Sequence, residues 1–243
     1  MSDEHLDFQL KQWQFDPESN CVRLLKGADG RDVIQLRVDL GILQLETTGR
    51  PDGTRPEGFP TLLDHLLHKE TLAPDFELDE ETCLEIDREF VQFYHRRVAW
   101  LRLQRFDRAV RDADHTLALM DFCREHSPCE EWTFQHEQHR AFVIFHRTQA
   151  AALLAIEEQV PEDAVEAIND GLELIAENFA DMGWEEQFES DELVERLMEL
   201  RESLRHDFSI EKTLTEQLAD AVATEQYELA ARLRDQMSKR GST

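Results

Sequence analysis

Six residues of metal-binding type crowd one stretch of the chain: Cys123, His126, Cys129, His136, His139 and His146. Helical spacing brings His136 and His139 toward one face, with His146 two turns further on. The spacing fits no standard site. Five residues lie between Cys123 and Cys129, where zinc knuckles use two to four, and there is no second cysteine pair. His136-Glu137-Gln138-His139 falls one residue short of the zincin pattern, whose histidines need a full helical turn between them. The expectation is no resident metal and no cofactor, with a metal-binding enzyme or sensor on the Cys123–His146 stretch as an alternative. The acidic pairs Glu130-Glu131, Glu157-Glu158 and Glu185-Glu186 are adjacent residues, which diverge on a helix and suit a solvated face better than paired acid/base work. Gly49-Arg50-Pro51-Asp52-Gly53 sets glycines beside arginine, as a phosphate cradle does. It lacks the lysine-serine end of a P-loop and the spacing of a dinucleotide fingerprint, so it reads as a structural turn. No nucleophile with its base and orienting acid can be assembled. The expected class is non-enzymatic.

The elements that would carry these residues follow from composition. The chain has 243 residues, 53 acidic against 26 basic side chains, and a net charge of -27. That balance opposes a nucleic-acid footprint and binding to anionic lipid, both of which need clustered Lys and Arg. A hydrophobic share of 41% is enough for a real core. Four cysteines are too few for a disulfide framework, no apolar run reaches spanning length, and Met1-Ser2-Asp3-Glu4-His5 is acidic. A cytoplasmic location is expected.

Six of nine glycines lie between Gly27 and Gly58, and five of seven prolines lie at or before Pro74. A turn-rich N-terminal region (1–75) therefore precedes a helical remainder. In it, Trp13-Gln14-Phe15 and Cys21–Leu25 read as short strands. Asp32–Glu46 alternates Ile34, Leu36, Val38, Leu40 and Ile42 with polar residues, as a half-buried strand does, although Ile34, Val38 and Ile42 also fit a helix. Thr61–Lys69 is a helix capped by Thr61, with Leu62, Leu63, Leu66 and Leu67 inward.

Asp87–Cys123 reads as two helices joined at Gln104-Arg105-Phe106-Asp107. The first carries Phe90, Val91, Tyr94, Val98 and Leu101, the second Ala109, Val110, Ala113, Leu117 and Met120. A second copy starts near Ala141 and turns at Gln159-Val160-Pro161. At an offset of 55 residues Ala109 aligns with Ala164, Val110 with Val165, Leu117 with Leu172 and Leu119 with Leu174. Ala99-Trp100-Leu101-Arg102-Leu103-Gln104-Arg105-Phe106-Asp107-Arg108-Ala109 resembles the tetratricopeptide turn, an aromatic followed three residues later by alanine. Gln104 stands where that family usually has glycine, Pro161 replaces the second aromatic, and the period exceeds 34 residues. The expectation is a TPR-like helical array over 80–206, which either offers a binding surface or serves only as a scaffold.

The last thirty residues carry the most ordered pattern. Leu214, Leu218, Ala221 and Val222 line one helix, and Tyr227, Ala230, Leu233 and Met237 line a second after a tight connection at Glu225-Gln226. Two short rods hide little of that apolar surface from water, so a partner is expected to cover it. Arg234 and Asp235 at its edge suit charge-assisted hydrogen bonds across the hairpin or an interface. Leu214, Leu218, Ala221-Val222, Glu225, Tyr227-Glu228, Ala230-Ala231 and Leu233-Arg234-Asp235 resemble the UVR motif of the bacterial excision-nuclease subunits B and C. In that family the motif is a docking hairpin that joins the two subunits in nucleotide excision repair. It also occurs in Clp-ATPase regulators and arginine-kinase activators, so the resemblance implies docking more directly than repair. Residues 209–240 hold six acidic and five basic side chains, a nearly neutral surface on a strongly acidic chain.

The expected architecture is mainly α: a small β-containing N-terminal region, the TPR-like helical pairs, and a C-terminal UVR hairpin (209–240). The expected partner is a protein or a second copy, with no direct nucleic-acid contact and no membrane. The residues expected to bind it are Leu214, Leu218, Val222, Tyr227, Ala230, Ala231, Leu233, Arg234, Asp235 and Met237. An accessory role in excision repair, contacting a nuclease subunit, is the nearest alternative.

Overall fold

The structure is a computed structural model describing residues 6–17, 21–73, 76–212, 214–224 and 226–240; within the two C-terminal helices, the side chains of 214, 215, 219, 220, 223 and 238–240 lie outside the description. It begins with a helix, α1 (Asp7–Gln12), then strands β1 (Val22–Lys26), β2 (Asp32–Val38) and β3 (Gly41–Glu46), paired antiparallel in the order β1-β2-β3. Asp32–Glu46 is thus two strands where one was expected. Asp39 and Leu40 form the turn, with the Asp39 carboxylate accepting from the Leu40 amide at 2.9 Å, and Leu40 is 91% exposed. Doubling back lets β2 pair on both edges, which a single long strand could not do with itself. Trp13-Gln14-Phe15 is irregular, against expectation. Its aromatics instead cover cations: the Arg23 guanidinium lies 4.2 Å from the Trp13 ring and that of Arg37 5.9 Å from the Phe15 ring, and Arg37 also donates to the Trp13 carbonyl at 2.8 Å.

The loop 49–53 is a clamp. Gly49 (φ +65°) approaches the Pro60 carbonyl so closely that a Cβ would lie 3.0 Å from its oxygen, a position and conformation suited to glycine. Arg50 is buried and ion-paired with Glu85 (2.9 Å), Glu89 (3.4 Å) and Asp52 (3.6 Å), so its charge is not offered to a ligand. Next, α2 (Leu62–Leu72) starts at Thr61, whose Oγ1 accepts from the Asp64 amide. Its Leu62, Leu63 and Leu66 are buried, whereas Leu67, expected beside them, is 44% exposed.

Six helices follow: α3 (Glu80–Arg102), α4 (Phe106–His126), α5 (Glu130–Glu137), α6 (Arg140–Glu157), α7 (Pro161–Asp181) and α8 (Glu192–Phe208). Helices α3 with α4 and α6 with α7 are the two expected pairs, and the insertion of α5 lengthens the period. Both pairs turn the same way. The amides of Arg105 and Gln104 donate to Trp100 and Leu101 carbonyls, and 55 residues later those of Val160 and Gln159 donate to Ala155 and Ile156. These are matching Schellman closures, with Gln104 (φ +55°) and Gln159 (φ +63°) in the left-handed position that glycine usually fills. The inward alanines Ala109 and Ala164 are fully buried. The repeat is looser elsewhere, since Leu119 is buried while its counterpart Leu174 is 40% exposed. At Gly171 on α7 the helices leave no room for a side chain, since an added Cβ would lie 2.7 Å from the Thr148 Cβ on α6. The sheet shares its core with the start of this array: Val22, Ile34, Leu36 and Leu45 pack with Ala99, Trp100, Phe106, Ala109 and Ala150. The last two helices are α9 (Leu214–Ala223) and α10 (Tyr227–Arg240). No helix among the described residues is long and apolar enough to cross a membrane.

Candidate docking hairpin

Helices α9 and α10 fold back on each other through a short connection closed by the Gln226 amide donating to the Ala221 carbonyl at 2.7 Å. Their seam is narrow. Ala221, Ala230 and Leu233 are buried in it, with Leu218 partly buried against them. Small residues at 221 and 230 let the backbones approach, and Leu233 fills the gap.

The apolar surface expected on one face is therefore divided. Ala230 and Leu233 belong to the seam. Val222 (53% exposed) and Tyr227 (67% exposed) stand outside it, at the end of α9 and the start of α10, on either side of the connection. One residue along a helix turns a side chain by about 100°, which moves Val222 off the line of Ala221. Leu229, not singled out from the sequence, adds a third exposed apolar side chain at 42%. Ala231, Arg234 and Asp235 are exposed, and Met237 is half-buried. Among the described residues the side chains of Arg234 and Asp235 make no hydrogen bond or ion pair, which leaves both available at an interface. The Leu214 side chain and Glu225 lie outside the described residues.

The hairpin is tied to the array by charge. Glu216 on α9 pairs with Arg201 (3.4 Å) and with Arg205, both on α8. The Gln217 side chain donates to the Lys212 carbonyl at 2.6 Å, bracing the entry into α9.

The Cys123–His146 stretch is scattered over α4, α5 and α6, and the structure does not bring its members to one point. Cys123 is buried, and burial pushes its thiol well above the ordinary range, so a thiolate ligand is disfavoured there. Cys129 is exposed ahead of α5. His126 uses both ring nitrogens, Nδ1 at 3.1 Å from the Phe76 carbonyl and Nε2 at 3.0 Å from Glu70. His136 Nε2 lies 3.0 Å from Asp87, and His146 Nδ1 accepts from Arg97 Nε at 3.3 Å. Among the described residues, the group whose possible ligand atoms do converge is Glu70, Glu125 and His126, and the first and last of these already bind each other.

These histidines set a pH dependence. Burial, and then the Arg97 charge, depresses His146 to about 4, and burial also lowers His136 and His95. A free histidine titrates near ~6.5, so between that value and 4 the unfolded chain binds more protons than the folded one. The stability these rings confer is complete above about pH 6.5 and lost as the pH falls toward 4. The urea midpoint should drop over this window, and His146→Gln, which keeps an acceptor for Arg97, should flatten the slope. A His146→Gln slope identical to wild type would contradict this account.

Comparison with known proteins places the motif where the hairpin stands. Residues 212–239 match the family model described as UVR, the UvrB/uvrC motif. No curated protein and no solved structure matches the chain.

Proposed function

We propose that this chain is a non-enzymatic interaction protein that docks another polypeptide through the α9–α10 hairpin. One observation carries the reading: within the matched motif, Val222, Tyr227 and Leu229 remain exposed after Ala221, Ala230 and Leu233 have closed the seam. Tyr227, with Arg234 two turns further along the same face of α10 and free of any described partner, has the composition of an interface centre. The UvrB/uvrC motif is a protein-interaction motif in the proteins it is named for, which supports the same role. Arg50 and His126 are engaged by Glu89 and Glu70, and His136 stacks on Phe90, which supports a structural role for these three.

The occupant we favour is a different protein. The chain outside 209–240 holds 47 acidic against 21 basic side chains, and pairing two copies through their hairpins would bring two such bodies together. A second reading, contact with an excision-nuclease subunit, is favoured by the motif's family and is tested with purified B and C subunits. The general proposal is tested by affinity recovery with the full chain. The double variant Val222→Asp/Tyr227→Asp, at exposed positions, should keep its helical signal and lose partner recovery by about tenfold or more. Equal recovery by the folded variant would refute hairpin docking, and a sedimentation shift to dimer that the variant abolishes would replace the foreign partner with a second copy.

A further inference from the structure

Away from the hairpin, α3, α4, α5 and α6 enclose an open cavity of about 490 Å³. Its walls are largely apolar and aromatic, with Phe90, Met120, Phe142 and Val143 among the lining residues and the exposed Val91 and Tyr94 at its mouth. Arg97 also lines it and is 1% exposed. A guanidinium so deeply placed ordinarily meets a carboxylate. Here Nη1 donates to Thr116 Oγ1 at 3.0 Å and Nε to His146 Nδ1 at 3.3 Å, both neutral acceptors. Among the described residues Nη2 has no hydrogen-bond partner and Arg97 has no ion pair. Asp112, whose field reaches Arg97, is held in a two-pronged contact by Arg96, at 2.8 Å to each oxygen. Thr116 Oγ1 in turn donates to the Asp112 carbonyl, which fixes its lone pair toward Arg97.

A buried cation without a counter-ion, facing an apolar cavity in an otherwise acidic protein, is costly to keep unless an anion arrives. We infer that this cavity binds a small monocarboxylic acid with an aromatic or aliphatic body, its carboxylate on the free edge of Arg97 and its body between Phe90, Met120 and Phe142. One unpaired cation suits one negative charge. A dianion such as a phosphate monoester is opposed by Asp87, which also lines the cavity. The site is independent of the hairpin and of the docking proposal.

The test is calorimetric titration of the full chain with 2-naphthoic acid, its neutral amide and 2-naphthyl phosphate. The acid should bind saturably, with the amide and the phosphate each weaker by about tenfold or more, the loss expected for a charge-assisted hydrogen bond. Arg97→Met should weaken the acid similarly while raising the thermal midpoint, because it removes an uncompensated buried charge. Val91→Trp, a substitution at an exposed position on the mouth, should block the acid without unfolding the protein and decides the matter should Arg97→Met fail to fold. Failure of the acid to bind, equal binding of acid and amide, or unchanged binding in Val91→Trp would each overturn the proposal.

Discussion

Glu89→Ala should cost about 3–5 kcal/mol, the range for removing one partner from a buried, hydrogen-bonded charge network. Glu89 is completely buried on α3. Its two oxygens accept from the amides of Leu62 (2.9 Å) and Leu63 (3.2 Å), the first turn of α2, and from His115 Nε2 at 2.9 Å. Arg50 stands 3.4 Å away. One carboxylate thus caps a helix, fixes a histidine of α4 and neutralises the arginine of the 49–53 loop. Alanine would strand the two amides and leave Arg50 with only its more exposed partners, Glu85 and Asp52. Urea unfolding measures the loss, and Glu85→Ala serves as the control, at about 1 kcal/mol or less for a half-exposed pair. A Glu89→Ala loss no larger than the control would show that the loop and α2 are held by something else.

Leu233→Asp should abolish the hairpin while sparing the rest. The seam consists of Ala221, Ala230 and Leu233 with Leu218 alongside, so it has little apolar area with which to absorb a buried carboxylate. An uncompensated charge there costs several kcal/mol, on the order of the whole local stability of so small a unit. Amide exchange should become rapid throughout α9 and α10, with protection of α3–α8 unchanged and partner binding lost. Tyr227→Asp, at a surface position, should leave that protection intact. Continued protection of α10 in Leu233→Asp would mean that the helices are held by surfaces other than their own seam.

The helical pairs and the hairpin were legible because their apolar periodicity runs over several turns and their turns recur 55 residues apart. The finer division of the hairpin was not. In a two-helix unit each rod has a single apolar neighbour, the α8 contact being made by charge, so the apolar stripe narrows to Leu218, Ala221, Ala230 and Leu233, and Val222 and Tyr227 fall to the flank although the pattern counts them with the rest. The break at Asp39-Leu40 was hidden because a two-residue turn can sit inside an alternating run without a glycine in it. Helix α8 was missed although Val194 and Leu197 are buried at helical spacing and Asp191 caps its start. Arg97 left a trace: with Phe90, Phe93 and Trp100 it occupies the inward register of α3, where a cation is out of place. The partnership of Glu89 with α2 left none, since it joins residues 26 and 27 apart in sequence and depends on how two helices meet.

The docking claim is tested most directly by placing a photo-crosslinking amino acid at Tyr227 of the full chain in living cells and, in parallel, at Leu40, the exposed turn of the β2–β3 hairpin. The account predicts a discrete protein adduct from position 227, of a mass other than twice the chain's own, absent from position 40 and lost when Val222→Asp is added. Adducts that are absent from 227, or that are the same at both positions, would contradict it.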